Sequence, residues 1–309
     1  MEKPMDILKE FPVRKSKAQK QAFRDTIASY AQGLGYETKV EKGSLGSRNL
    51  VIGDPEKAKY LLTAHYDTCA RMIVPNLITP CNFWGFLGYQ LVIALMLILP
   101  MGLISAAVGY FTKDPQVGIL TADAVLLLLL WLMLAGPANK SNVNDNSSGV
   151  ITVLEIAKTL PEREREKVCF VLFDLEELGL IGSASYRKAH KKASNSQMVL
   201  NLDCVGEGDY LYLFPTSKLK KDGEKMAALE KIAGQLGKKS INLRSKGFSV
   251  YPSDQANFPY GVGICALKRG KMGLYLGRIH TPRDTVLEET NVNILRAALI
   301  TLIGGSAAQ

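Results

Sequence analysis

Between Arg71 and Lys113 the chain carries no charged residue. A run of this length must be hidden inside protein or inside lipid, and that choice limits everything the remaining residues can build. Its centre, residues 83–111, reads "FWGFLGYQLVIALMLILPMGLISAAVGYF" and exceeds the ~20 apolar residues that cross a bilayer. A second apolar segment, residues 117–136, follows the connector "TKDPQ" and is broken only by Asp123. Soluble cores seldom need two such runs back to back, so the pattern predicts a transmembrane hairpin. A hairpin returns the chain to the side it left. Residues 1–71 and 140–309 therefore read as one discontinuous domain around an insert at residues 72–139.

The N-terminal "MEKPMDILKEFPVRKSKAQKQ" is charged throughout and lacks the apolar core of a secretory signal. Five cysteines are scattered with no CxxC pair, which fits reduced thiols better than a disulfide framework. The net charge of +9 suits nucleic acid or an anionic inner leaflet. No nucleic-acid motif, zinc-finger spacing or basic–aromatic interleaving accompanies it, so the expected partner is the lipid bilayer and not nucleic acid. Arg71 and Lys140 flank one side of the hairpin and Lys113 the other. These signals together predict an integral protein of the cell membrane with its main body on the cytoplasmic face. Glycines in "GFLGY" and "MGLISAAVG" could pack helices against one another, leaving oligomers through the hairpin open.

With the insert set aside, strand and helix patterns alternate. "YETKVEKG", "NLVIGD", "YLLTAH", "KVCFVLFD", "MVLNLDCVG", "YLYLF" and "GVGICAL" read as strands. Helices are expected over "KAQKQAFRDTIASYAQGLG", over "SSGVITVLEIAKTL" with serine caps, over "GSASYRKAHKKA", over residues 222–236 and around "NVNILRAALITLIGG". The fold class is α/β, a mixed, mostly parallel central sheet flanked by helices, with the two-helix insertion.

In such sheets reactive groups gather beyond the carboxyl ends of the strands. His65 and Asp67 follow "YLLTA", Glu176 and Glu177 follow "VCFVLFD", and Asp203 follows "MVLNL". Asp145 precedes a helix and His280 follows the strand-like "GLYLGRI". His190, on the charged face "RKAHKKA", reads as solvated. Buried carboxylates are tolerated when paired or when they coordinate a cation, and an imidazole–carboxylate set suits zinc. Five such donors exceed what one catalytic zinc takes from protein, but they suffice for two metals if one carboxylate bridges. Glu176 is then left over as a candidate general base.

Six strings, "TAHYDT", "NVNDNSSGV", "DLEELGLIGSASY", "NLDCVG", "SDQANF" and "IHTPRDT", resemble in order the motifs of the co-catalytic di-zinc aminopeptidases. That family also includes glutamate carboxypeptidases and glutaminyl cyclases. The resemblance spans the chain outside the insert and makes that discontinuous part a catalytic metallopeptidase domain. It implies two Zn2+, with His65 and Asp203 on one, Glu177 and His280 on the other, and Asp145 bridging. It further implies Glu176 as base and Asp67 as the acid that orients His65. Tyr251 is a candidate oxyanion donor, and Gln255 and Phe258 are candidate substrate contacts. Gln255 stands where the family often has histidine, a departure that points to altered substrate selection. The implied activity is aminopeptidase hydrolysis of peptides, apolar or membrane-associated because the hairpin leaves from a site-forming loop. A cyclase-like acyl transferase and a non-catalytic receptor or scaffold are the competing expectations.

Overall fold

The apolar strand "VCFVLF" shows how the sheet is built, because its alternate side chains enter two different cores. In the computed structural model, which describes residues 1–72, 76–236 and 239–304, Phe170 and Leu172 join one cluster while Cys169, Val171 and Phe173 join another. That is the period-two geometry of a strand buried on both faces.

The elements run α1 (Ile7–Glu10), α2 (Lys17–Gly33), β1 (Thr38–Lys42), β2 (Arg48–Ile52), β3 (Tyr60–His65), α3 (Phe83–Thr112), α4 (Pro115–Ala135) and α5 (Gly149–Thr159). They continue with β4 (Val168–Phe173), α6 (Ile181–Ala189), α7 (Lys191–Ser194), β5 (Met198–Leu202), β6 (Tyr210–Pro215), α8 (Gly223–Ile232) and β7 (Gly234–Leu236). The last are β8 (Lys239–Leu243), β9 (Gly261–Gly270), β10 (Gly273–Tyr275) and α9 (Glu289–Gly304). Strand order is β1-β2-β4-β3-β5-β9-β6-β8-β7, with β10 paired to the end of β9. The centre, β4-β3-β5-β9, is parallel, and antiparallel pairs flank it on both sides. The sheet is therefore mixed, and its parallel part carries the strand ends at which the acids and His65 sit.

Three local readings change. The helix expected over residues 222–236 stops at Ile232, and Gly234–Leu236 forms a short strand paired with β8. Helix α5 is not capped by its serines: the Asn146 side chain accepts from the Gly149 amide, and Ser148 Oγ donates backward to the Asn144 carbonyl. His190 is not solvated. It sits at the break between α6 and α7, with Nδ1 2.7 Å from Glu56 and Nε2 2.8 Å from Glu41.

Both apolar helices are long and apolar enough to cross a membrane. The most apolar window of α3 is 0% buried and that of α4 is 11% buried, so neither is a core helix of the body. They pack on each other, and Gly118 permits it: a Cβ there would lie 2.2 Å from the Ser105 carbonyl. Gly109 is thus spent inside the hairpin, while Gly88 and Gly102 have nothing within 4 Å. Helix α3 has 30 residues and α4 has 21; at 1.5 Å per residue these are ~45 and ~31 Å, against ~30 Å of hydrocarbon. The start of α3 contacts the body. Asn82 Nδ2 donates to the Met272 carbonyl, and the Phe83 ring meets Phe248 at 5.1 Å.

The His190 pairing makes stability depend on pH. Burial lowers its pKa, but hydrogen bonds to Glu56 and Glu41 outweigh that and raise it above 6.5. A raised folded value contributes fully below the unfolded pKa and is lost as pH rises through the folded one. His190→Gln should therefore cost about 0.5–1 kcal/mol near pH 5.5 and close to nothing near pH 9, read by denaturant melts. A pH-independent difference would leave the ion pairs without a role.

Candidate active site

Parallel pairing sets the frame. His65, the last residue of β3, is in register with Phe173, the last of β4, and the Asp203 amide donates to the Ile264 carbonyl at the end of β5. The residues after three adjacent strands therefore emerge side by side.

The Glu176–Glu177 turn is held by one acid from the next strand. Asp67 Oδ1 accepts from the Glu176 amide at 3.1 Å and Oδ2 from the Glu177 amide at 3.2 Å. The same Asp67 Oδ1 lies 3.5 Å from His65 Nδ1. One carboxylate thus holds the main chain of both glutamates and stands beside the imidazole. Asp174, which precedes the turn, is buried and pairs with Lys20 of α2 at 2.7 Å while accepting the Arg48 amide. It anchors the strand end and lies outside the cluster.

Asp145 is fixed from both sides. Asn144 Oδ1 accepts from the Gly206 and Glu207 amides, and Asn146 bridges the Gly149 and Cys204 amides and the Leu202 carbonyl. Gly149 is required, because a Cβ would lie 2.3 Å from the Leu202 carbonyl. Asp284 accepts the Asn144 and Asp145 amides at 2.7 and 3.0 Å. From below, the buried Arg14 donates to the Tyr66 carbonyl and to Ser147 Oγ, tying the loop after β3 to the turn around Asp145.

The five expected donors converge. His65 Nε2 is 3.1 Å from Asp145 Oδ1 and 3.7 Å from Asp203 Oδ1. His280 Nε2 is 3.0 Å from Asp145 Oδ2 and 3.3 Å from Glu177 Oε2. Glu176 falls in a group with His65 and Asp203 whose donor atoms lie within 4.8 Å of one another. Tyr251, Gln255 and Phe258 are all buried. The Tyr251 hydroxyl donates to the Asp203 main-chain carbonyl at 2.9 Å, behind the site. Gln255 is buried, donating to the Tyr251 carbonyl and accepting from Asn201. Phe258, 2% exposed, stacks on Phe173 in the core. Gln255 and Phe258 both belong to the 253–258 turn and are buried there.

Electrostatics mark this place as overloaded with negative charge. Burial pushes Glu177 up to about 8 against the pull of His280. Burial also pushes Glu176 well above the carboxylate range, opposed by His65 and reinforced by Glu177 and Asp254. Asp254, with both oxygens buried and unpartnered among the described residues, rises to about 7 by burial. For Asp145, burial is overcome by hydrogen bonds from His280 and His65, which hold it well below the usual range. His280 rises to about 9 because Glu177 and Asp145 outweigh its burial. Glu177 Oε1 is another buried oxygen without a hydrogen-bond partner among the described residues. Orphaned carboxylate oxygens around two imidazoles are the donor set that a divalent cation satisfies.

Asn144, Asn146 and Asp284 lie inside two of the motif strings, but pattern alone does not reveal their main-chain bonding across distant segments, and Arg14 lies in none of the strings. Nor did scattered spacing reveal that Cys69 groups with Glu177 and His280, and Cys204 with Asp145 and Asp203. Asp284 offers a direct check. Burial and the Asp145 charge push its carboxyl up to about 8, against the two amides it accepts. Asp284→Ala should orphan both amides and cost about 1–3 kcal/mol in denaturant melts. Asp284→Asn keeps one acceptor and should cost less. Equal stability of all three proteins would remove Asp284 from the scaffold of the Asp145 turn.

Known proteins share the arrangement of sheet and helices. Aminopeptidase YwaD of Bacillus subtilis (strain 168) is 41% identical over 66 residues, 20% of this chain and only 14% of that protein. The crystal structure of the LapA aminopeptidase of Legionella pneumophila superposes with a TM-score of 0.57 at 14% identity, covering 99% of this chain and 70% of the other. The glutaminyl cyclase of Tannerella forsythia gives 0.58 at 15% identity, covering 97% and 94%. Both share the fold. The model of peptidase family M28 matches residues 131–302, more than half of the chain, and the chain belongs to that family.

Proposed function

We propose that this protein is a membrane-anchored di-zinc aminopeptidase, its catalytic body on the cytoplasmic face, acting on apolar or membrane-associated peptides. The observation that carries this reading is the Asp145 carboxylate, with one oxygen 3.1 Å from His65 Nε2 and the other 3.0 Å from His280 Nε2. Such a carboxylate suits the bridging position between two cations. His65 and Asp203 would complete one site, Glu177 and His280 the other, and a mixed imidazole–carboxylate set favours zinc. When bound, the cation pair supplies polarisation of an amide carbonyl and a lowered pKa for water.

The chain's own residues do the rest. Glu176 accepts a proton from the attacking water and passes it to the leaving amine as the C–N bond breaks, which regenerates its carboxylate. Its raised proton affinity suits that task, and the Asp67–amide bond keeps its main chain in place. Asp67 also faces His65 Nδ1, holding the imidazole so that Nε2 points at Asp145. The aminopeptidase reading is supported by the similarity to YwaD, and membrane anchoring by the length and exposure of α3 and α4.

Metal analysis of detergent-purified protein should find about two zinc ions per chain. One would favour a cyclase-like acyl transferase and none a scaffold. Glu176→Gln should keep that metal content and lower kcat on a chromogenic aminoacyl amide about 10²–10⁴-fold. Wild-type turnover by Glu176→Gln would remove Glu176 from the proton path.

A further inference from the structure

Two cavities meet at Arg71. The first, about 660 Å³, is lined by Arg71, Met72, Arg278, Thr281 and Arg283, and Thr281 follows His280 directly in the chain. Its floor belongs to the hairpin root, where the Met72 amide donates to the His280 carbonyl and the Arg71 amide to that of Pro137. Arg278 shares its charge with Glu207 at 2.6 Å, whereas Arg71 and Arg283 face no carboxylate within ion-pair distance among the described residues. The second cavity, about 200 Å³, starts at Arg71 and Met72 and continues between the two apolar helices along Ile93, Met96, Leu129 and Leu132. Its α3 side begins at Ile93, ten residues after Phe83, where that helix touches the body. Uncompensated guanidiniums therefore stand at the level where the apolar helices leave the body, and an apolar slot runs outward from them. A molecule complementary to both has an anionic group next to an apolar chain.

We propose that the arginine-lined cavity and the slot between α3 and α4 form one binding site for an anionic amphiphile, and that the amide cleaved at the adjacent centre belongs to such a molecule. The second half of this statement rests on the peptidase reading; the first does not. An anion held by Arg71 and Arg283 would place neighbouring bonds beside His280, with the chain lying in the slot. The commitment is to substrate, because the cavity wall is continuous with the His280 main chain through Thr281 and Met72, and the slot shares Arg71 and Met72 with that cavity.

Two measurements on the full chain in phosphatidylcholine nanodiscs test this. Calorimetry with N-dodecanoylglutamate should show binding that weakens roughly tenfold in the Arg71→Ala/Arg283→Ala double variant, the size expected of two interfacial guanidiniums. In hydrolysis, leucyl-glutamyl-dodecylamide should have a KM roughly tenfold below those of leucyl-glutaminyl-dodecylamide and leucyl-glutamyl-methylamide. The double variant should erase the preference for glutamyl over glutaminyl, and Leu129→Trp the preference for the dodecyl chain. Binding that is indifferent to the arginines overturns the site, whatever the hydrolysis shows. Arginine-dependent binding with no peptide cleaved sustains the site and defeats the peptidase reading instead. Complete displacement of N-dodecanoylglutamate by phosphatidylglycerol in the nanodisc would assign the arginines to bulk lipid and overturn the substrate claim.

Discussion

A single carboxylate placed between two imidazoles organises the molecule. Asp145 comes from a turn, His65 from a strand end and His280 from a distant loop, so their meeting depends on every element that fixes those three segments. The parallel centre of the sheet delivers His65, the two glutamates and Asp203 from adjacent strand ends. Paired asparagines, Asp284 and Arg14 then lock the turn that presents Asp145. Leaving so many carboxylates together out of water is costly. The surrounding main-chain donors hold them there, and their unsatisfied oxygens define a place for positive charge.

The opposite roles of neighbouring acids follow from their bonding. In "DLEE", Asp174 turns back to Lys20 and the Arg48 amide, while the next two acids turn forward under the control of Asp67. Three acids within four residues thus serve the frame and the site.

Much of this was legible before any coordinates. Strand runs with a clear period and the uncharged stretch gave the α/β body and its hairpin, and acids at strand ends pointed to the five converging donors. Legibility failed where packing, and not pattern, decides. His190 sits in a lysine-rich string, but the break between α6 and α7 turns it toward two glutamates from segments far away in sequence. Short β7 has no legible period because a strand of three residues carries too few alternations. Arg14 carried no signal at all. A lone arginine in a charged N-terminal segment gives no sign that it will be buried beneath two loops.

The unequal helices of the hairpin have a kinetic consequence. The first turns of α3 are bracketed to the body through Asn82 and Phe83, so the body cannot swing freely about its apolar stalk. For a chain embedded through that stalk, the entrance beside Arg71 stays at a fixed height above the lipid. Encounters would then be two-dimensional, governed by how densely a reactant populates the leaflet and not by how much is dissolved in the surrounding water.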